Sequence, residues 1–151
     1  LAYADTLISM PGLDASIADN AMLIKANALA QANNKEAALP VYKQLETSGN
    51  GAIAAEARYN IANIYYHQNK LKEAEEAAGN TIQQSGGHEY WVVRSYLLLS
   101  DILVKQKDYF NAKATLQSIV KNCKIPELKA EANAKLKEVK QLENKKSKLS
   151  E

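Results

Sequence analysis

The chain is poor in the residues from which most catalytic and metal centres are built. Its 151 residues include one cysteine, Cys123, and two histidines, His67 and His88. One cysteine excludes an intramolecular disulfide, and the two histidines lie far apart, without HxxxH or CxxC spacing, so they do not form a metal-ligand motif. Glycine-rich phosphate-binding motifs are also absent from the sequence. We therefore expect no enzyme activity, no metal ion and no cofactor.

Long apolar runs and a strong charge of one sign are missing as well. The most apolar stretch, residues 90–104, contains Arg94 and Asp101, so it falls short of the roughly 18 uncharged residues that span a bilayer. The net charge of +2 is too small to indicate nucleic-acid binding. The basic excess lies in residues 121–151, which fits a solvated helix face, with contact to an anionic partner as the alternative. We expect neither a membrane-spanning segment nor a nucleic-acid partner.

What the chain does contain is a repeat. Prolines (three) and glycines (six) are few, which favours helix. Apolar residues recur at nearly constant intervals in three series: Leu7, Leu45, Ile82 and Val120; Tyr3, Val41, Ala78 and Leu116; and Ala37, Ala74 and Ala112. Self-similarity at a period of roughly 20–50 residues indicates a stacked array, in which each unit buries its apolar face against its neighbours.

The clearest unit spans residues 55–82. Its first half has apolar residues at helical spacing, including Ile61, Ile64 and Tyr65. The polar segment 67–70 predicts a turn, after which a second helix begins. Such a short connection makes the two helices antiparallel. Because Ala62 and Ala74 are small, we expect the two helix axes to approach closely there.

This unit resembles the tetratricopeptide repeat (TPR) family. It matches the family pattern at Ile61, Ala62, Tyr65, Ala74 and Ile82, and departs from it where Arg58 replaces a frequent tryptophan. Flanking units fit the same pattern, the earlier one more weakly, since Lys25 replaces a small residue and Pro40 should kink its second helix or delay its start. The resemblance implies an all-α fold, a right-handed α-solenoid of helix-turn-helix hairpins.

We divide the predicted single domain, residues 1–151, as follows. Repeats are expected at 18–46, 55–83 and 93–121, and residues 1–11 resemble the second helix of an upstream repeat whose first helix is missing. We therefore expect the chain to be a fragment of a longer protein. A capping helix is predicted at 126–148, because the last repeat needs its apolar side covered and an apolar stripe is formed by Leu128, Ala132, Leu136, Val139 and Leu142.

The resemblance also implies a binding surface on the concave face of the array, formed mainly by the first helix of each repeat. Carried over by position, the groove-facing residues of the second repeat are Glu56, Tyr59, Asn60, Asn63, Tyr66 and His67. In the third repeat they are Arg94, Leu97, Asp101, Val104 and Lys105, and in the first Asp19, Met22, Ala26 and Leu29. Tyrosines beside asparagine and arginine are typical of peptide-binding surfaces. The candidate binding residues are Tyr59, Asn60, Asn63, Tyr66, Arg94, Leu97 and Asp101.

We expect the groove to bind a peptide or protein segment. A terminal-carboxylate ligand of the kind clamped by chaperone-binding TPR domains is disfavoured, because Met22 and Ala26 occupy two of the clamp positions. The alternative is a structural segment of a longer superhelical scaffold, which self-associates as a homo-oligomer through its exposed N-terminal helix.

Trp91 has two interpretations. It either closes the link 83–89 against the preceding repeat or serves as an exposed hot-spot residue. The stretch that begins with His88-Glu89-Tyr90-Trp91 and runs through residues 112–117 further resembles a subgroup of bacterial TPR proteins, largely uncharacterised and often assigned to the cell envelope. This implies an envelope or periplasmic location and leaves the cytoplasm open.

Overall fold

The computed structural model describes residues 15–150, which form seven α-helices and no strand. The helices are α1 (Ala15–Gln31), α2 (Lys35–Leu45), α3 (Gly51–His67), α4 (Leu71–Gln84), α5 (Glu89–Lys105), α6 (Tyr109–Asn122) and α7 (Pro126–Ser150). The prediction of an all-α solenoid with a C-terminal helix is confirmed. The helix predicted for residues 1–11 lies outside the described residues.

The same turn closes each of the three hairpins. Asn33, Asn69 and Lys107 have positive φ angles of 62°, 60° and 61°. The next N–H bonds to the carbonyl five residues earlier, over 2.9, 2.9 and 2.8 Å, which is the bond of a Schellman helix end. Asn34 and Asp108 then cap the following helix with their side-chain oxygens. Each pair of helices is therefore antiparallel, with three residues between them.

Three apolar clusters form the core, and each is shared between one hairpin and the first helix of the next unit. The cluster between α1, α2 and α3 includes Leu23, Tyr42, Leu45 and Ile61. The cluster between α3, α4 and α5 consists of Ala62, Ala74, Ala78, Leu98 and Ile102. The third includes Leu97 of α5, Leu116 of α6, and Leu128 and Leu136 of α7. The C-terminal helix thus completes the core of the last hairpin, as a capping helix does.

The stack curves with the first helices on its inner side. Successive first helices (α1, α3, α5 and then α7) come within 8 Å of each other between Cα atoms. Among the described helices, successive second helices (α2, α4, α6) make no such approach. Helices that are closer together lie on the inside of a curve, so α1, α3, α5 and α7 line the concave face.

The spacing of the first two hairpins differs from the predicted one. The left-handed turn residues are Asn33, Asn69 and Lys107, and the first interval between them is two residues shorter than the second. The first helices have the same length, 17 residues, but α2 has 11 residues where α4 and α6 have 14. The link between α2 and α3 is one residue longer than the link between α4 and α5. The shorter helix and the longer link together make the first unit two residues shorter than the second.

Because the first unit is shorter, its residues align with the later repeats one position further along the chain than predicted. Ala38, not Ala37, corresponds to Ala74 and Ala112, and all three are fully buried whereas Ala37 is exposed. In the same way Tyr42, not Val41, corresponds to Ala78 and Leu116. Pro40 does not delay the second helix, because α2 begins at Lys35 and contains the proline.

Close packing of α3 against α4 should make Ala74 intolerant of a larger side chain. Ala62 and Ala74 are both 0 % exposed, as the sequence predicted. We expect Ala74→Leu to lower the free energy of unfolding by about 1–3 kcal/mol through overpacking, measured by urea denaturation. Ala134→Leu, on an exposed position of α7, is the matched control and should change stability little. An unchanged Ala74→Leu midpoint would show that the assigned packing is wrong.

Candidate functional site

The inner face presents one repeating stripe of side chains on successive first helices. On α3 the stripe consists of Glu56, Tyr59, Asn63 and Tyr66. The equivalent positions one repeat later, on α5, are Arg94, Leu97, Asp101 and Val104. Successive members of each set are three or four positions apart, which places each set on one face of its helix.

On α1 the corrected register changes the predicted residues. The positions equivalent to the α3 stripe are Asn20, Leu23, Asn27 and Ala30, where Asp19, Met22, Ala26 and Leu29 were predicted. Ala26 is 0 % exposed and packs in the first cluster, so it is not part of the inner surface. Asn27 takes its place, and Ala26 therefore gives no reason to exclude a terminal-carboxylate ligand.

A hydrogen-bond network joins α1, α2 and α3 at this position. The Asn27 side-chain amide donates to the Glu56 carboxylate over 3.1 Å and accepts from the Tyr42 hydroxyl over 2.5 Å. Burial, with a smaller effect from the charge of Glu56, raises the pKa of Tyr42 to about 12. The network orients Asn27 and Glu56 where α1 and α3 meet on the inner face.

Aromatic contacts connect α3 to α5. The rings of Tyr59 and Trp91 lie 5.6 Å apart, and Trp91 packs edge-on against Tyr90 at 4.8 Å. Burial raises the pKa of Tyr59, and the nearby Arg94 guanidinium opposes that rise. Trp91 lies inside α5 and contacts the preceding repeat through Tyr59, which fits the first of its two interpretations.

Two ion pairs connect α5 to α7. Arg94 donates to both oxygens of Glu131 at 3.0 Å, and its Nε bonds to the Tyr90 hydroxyl at 3.3 Å. Lys135 bonds to Asp101 at 2.9 Å. Burial raises the pKa of Asp101, while Lys135 acts in the opposite direction. The C-terminal helix therefore extends the inner face as well as covering the core.

One predicted binding residue, Leu97, is not part of the accessible surface. Leu97 is 2 % exposed and packs in the third cluster, so it is not available to a ligand. The remaining candidates, Tyr59, Asn60, Asn63, Tyr66, Arg94 and Asp101, are half-buried. Among the described residues, no side-chain hydrogen bond or ring contact joins Asn60 to the others.

One accessible part of the inner face surrounds Tyr66, where His67 and Lys105 are exposed. Its ring lies 4.8 Å from the Lys105 ammonium and 5.4 Å from the His67 ring. Neither the Tyr66 hydroxyl nor the Asn63 amide has a hydrogen-bond partner within residues 15–150. These two polar groups are free to bond to a ligand that lies across the ring of Tyr66.

Sequence reasoning missed the residues that α7 and α1 add to this surface. Glu131, Lys135 and Asn27 all contact predicted residues or their neighbours on the stripe. The position of Glu131 could have been found from the sequence, because Glu131 follows Arg94 by 37 residues, which is one repeat period.

The described part of the chain contains no cluster of three or more metal-ligating side chains. Within it, no helix has the length and hydropathy needed to cross a bilayer. The arrangement offers aromatic rings, amides and paired charges, which can contact a ligand by packing, hydrogen bonding and charge.

Comparison with known families agrees with this geometry. Two family models, both described as tetratricopeptide repeat, match residues 23–89 and 94–123. Searches of curated proteins and of solved structures gave no significant match.

The pKa of His67 should report on the charged residues around Tyr66. Burial, followed by the charges of Lys35 and Lys105, lowers the pKa of His67 from its ordinary value of 6.5, and Asp101 opposes them. A titration by nuclear magnetic resonance should give a pKa below 6.5, and Lys105→Gln should raise it. Since folding lowers this pKa, the His67 contribution to stability is complete above about pH 6.5 and is lost on acidification. A His67 pKa unaffected by Lys105→Gln would contradict the assigned proximity.

Proposed function

Because the chain belongs to the tetratricopeptide repeat family, whose repeats generally mediate protein–protein interaction and are generally non-catalytic, we propose that its inner face binds a peptide or protein segment. The observation that carries the proposal is the open surface around Tyr66. There the half-buried ring adjoins an unpaired amide at Asn63 and the ammonium of Lys105.

The chemistry of this surface favours a segment that lies across several first helices. Tyr59 and Tyr66 present flat apolar area that costs little side-chain entropy to bury. Asn63 and the paired charges along α5 and α7 supply hydrogen bonds that fix the direction and register of the segment. Because Arg94 and Asp101 already hold Glu131 and Lys135, a partner meets a preorganised set of charges.

We also propose that the chain belongs to the bacterial cell-envelope subgroup of tetratricopeptide repeat proteins, and that it is located in the envelope or periplasm. Self-association through the N-terminal helix remains the alternative. Its residues Leu1, Ala4 and Ile8 lie outside the described residues, so solution experiments must separate the two functions.

We expect the double variant Asn63→Ala with Tyr66→Ala to lose binding to peptides selected on the wild-type protein from a random library. Removing an anchoring aromatic costs about 2 kcal/mol or more, roughly 30-fold in Kd, which calorimetry can measure. Arg94 is left intact here, because its removal would also break the contact between α5 and α7. The circular dichroism spectrum should remain helical.

Phe110→Ala is the matched control. Phe110 is 73 % exposed and lies on α6, away from the inner face, so its removal should leave peptide binding unchanged. Peptide binding that survives the double variant would overturn the proposal. Substitutions of Leu1, Ala4 and Ile8 that release the native partner while the double variant retains it would favour the scaffold alternative.

A further inference from the structure

A second concave site lies outside the inner face, between α5 and α6. We call it the α5–α6 slot, and it encloses about 490 Å³. It is lined by Glu89, Val93 and Tyr96 of α5, by Ala114, Thr115, Ser118, Ile119 and Asn122 of α6, and by Cys123. The floor is apolar, the rim is polar, and Tyr96 is 37 % exposed. None of the inner-face residues takes part in it.

The preceding repeat shows what occupies the equivalent space. The position one repeat before Tyr96 is Arg58, whose guanidinium donates to the carbonyl oxygen of Gln84 at 3.3 Å and to Ser85 Oγ at 3.3 Å. It also donates to the Glu46 carbonyl at 2.8 Å. Arg58 therefore bonds to the C-terminal ends of α2 and α4, where carbonyl groups lack helical partners.

The groove around Arg58 is smaller than the α5–α6 slot. The groove around Arg58, which shares the equivalent positions Glu76, Ala77 and Asn80, encloses about 230 Å³. The α5–α6 slot is about twice as large. Tyr96, which lines it, is 37 % exposed, and no hydrogen bond to its hydroxyl is found among the described residues. The slot therefore has the same backbone positions as the groove around Arg58, but a tyrosine stands in place of the arginine.

The charge of the slot fits the same occupant. Its lining contains the Glu89 carboxylate and no lysine or arginine. Asn122 and Cys123 stand where Gln84 and Ser85 bond to Arg58, at the end of α6 that carries the partial negative charge of the helix dipole. A planar cation with several N–H donors suits carbonyl and carboxylate oxygens around an apolar floor.

The chain has no arginine of its own to place there. It contains two arginines, Arg58 and Arg94, and both are engaged, the first with helix-end carbonyls and the second with Glu131 and Tyr90. We propose that the α5–α6 slot binds an arginine side chain presented by a partner protein, in the position that Arg58 occupies one repeat earlier. This site is independent of the inner face.

The test uses the whole chain and N-acetyl-arginine amide as the probe, followed by backbone amide shifts. Saturable shifts should be confined to the slot, at Thr115, Ser118 and Asn122. The citrulline analogue keeps the shape without the charge and should bind about tenfold more weakly. Glu89→Gln should also weaken the arginine probe.

Two further variants distinguish arginine recognition in the slot from binding elsewhere on the protein. Tyr96→Arg should fill the slot from within, abolish binding of the probe and raise the melting temperature, whereas Tyr96→Phe should retain binding. The double variant Asn63→Ala with Tyr66→Ala should bind the probe normally, so failure of the inner-face proposal leaves this result unaffected. Equal binding of the citrulline analogue, shifts centred on the inner face, or normal binding by a folded Tyr96→Arg variant would overturn the proposal.

Discussion

The rest of the structure depends on the sharing of each apolar cluster between a hairpin and the first helix that follows it. No hairpin can bury its own apolar face, so α3, α5 and α7 each complete the core of the unit before them. This requirement draws the first helices together on one side. It also leaves a mixed stripe of polar, aromatic and aliphatic side chains on their remaining face, and that stripe is the inner surface. Architecture and candidate site therefore have one physical cause.

Most of the helical framework could be predicted from the sequence, because turn residues and apolar spacing agree there. The predicted pairing of Ala62 with Ala74 is borne out by their burial. The first repeat was misplaced by one residue because its neighbouring positions are equally apolar. Ala37 and Ala38, or Val41 and Tyr42, satisfy a helical pattern alike. Only the length of α2, which an apolar pattern does not specify, decides between them.

The candidate site was less predictable for a different reason. The positions of the stripe follow from the repeat, and on α3 and α5 all of them except Leu97 are partly accessible. Leu97 shares the stripe but is covered by α7, and the depth at which a capping helix docks depends on tertiary packing. The contacts of Glu131 and Lys135 are hard to predict for the same reason, since the apolar stripe of their helix predicts that it covers the core but not which charged residues of α5 it meets.

The packing of Trp91 between Tyr59 and Tyr90 has a practical consequence. Trp91 is the only tryptophan in the chain, and it is half-buried where α3 meets α5 on the inner face. Its indole emission therefore arises from that junction alone. A change in the spacing of these two helices, or in the solvation of their rings, alters a single fluorescent signal. The protein carries its own spectroscopic reporter at the boundary between two repeats, and no external label has to be attached there.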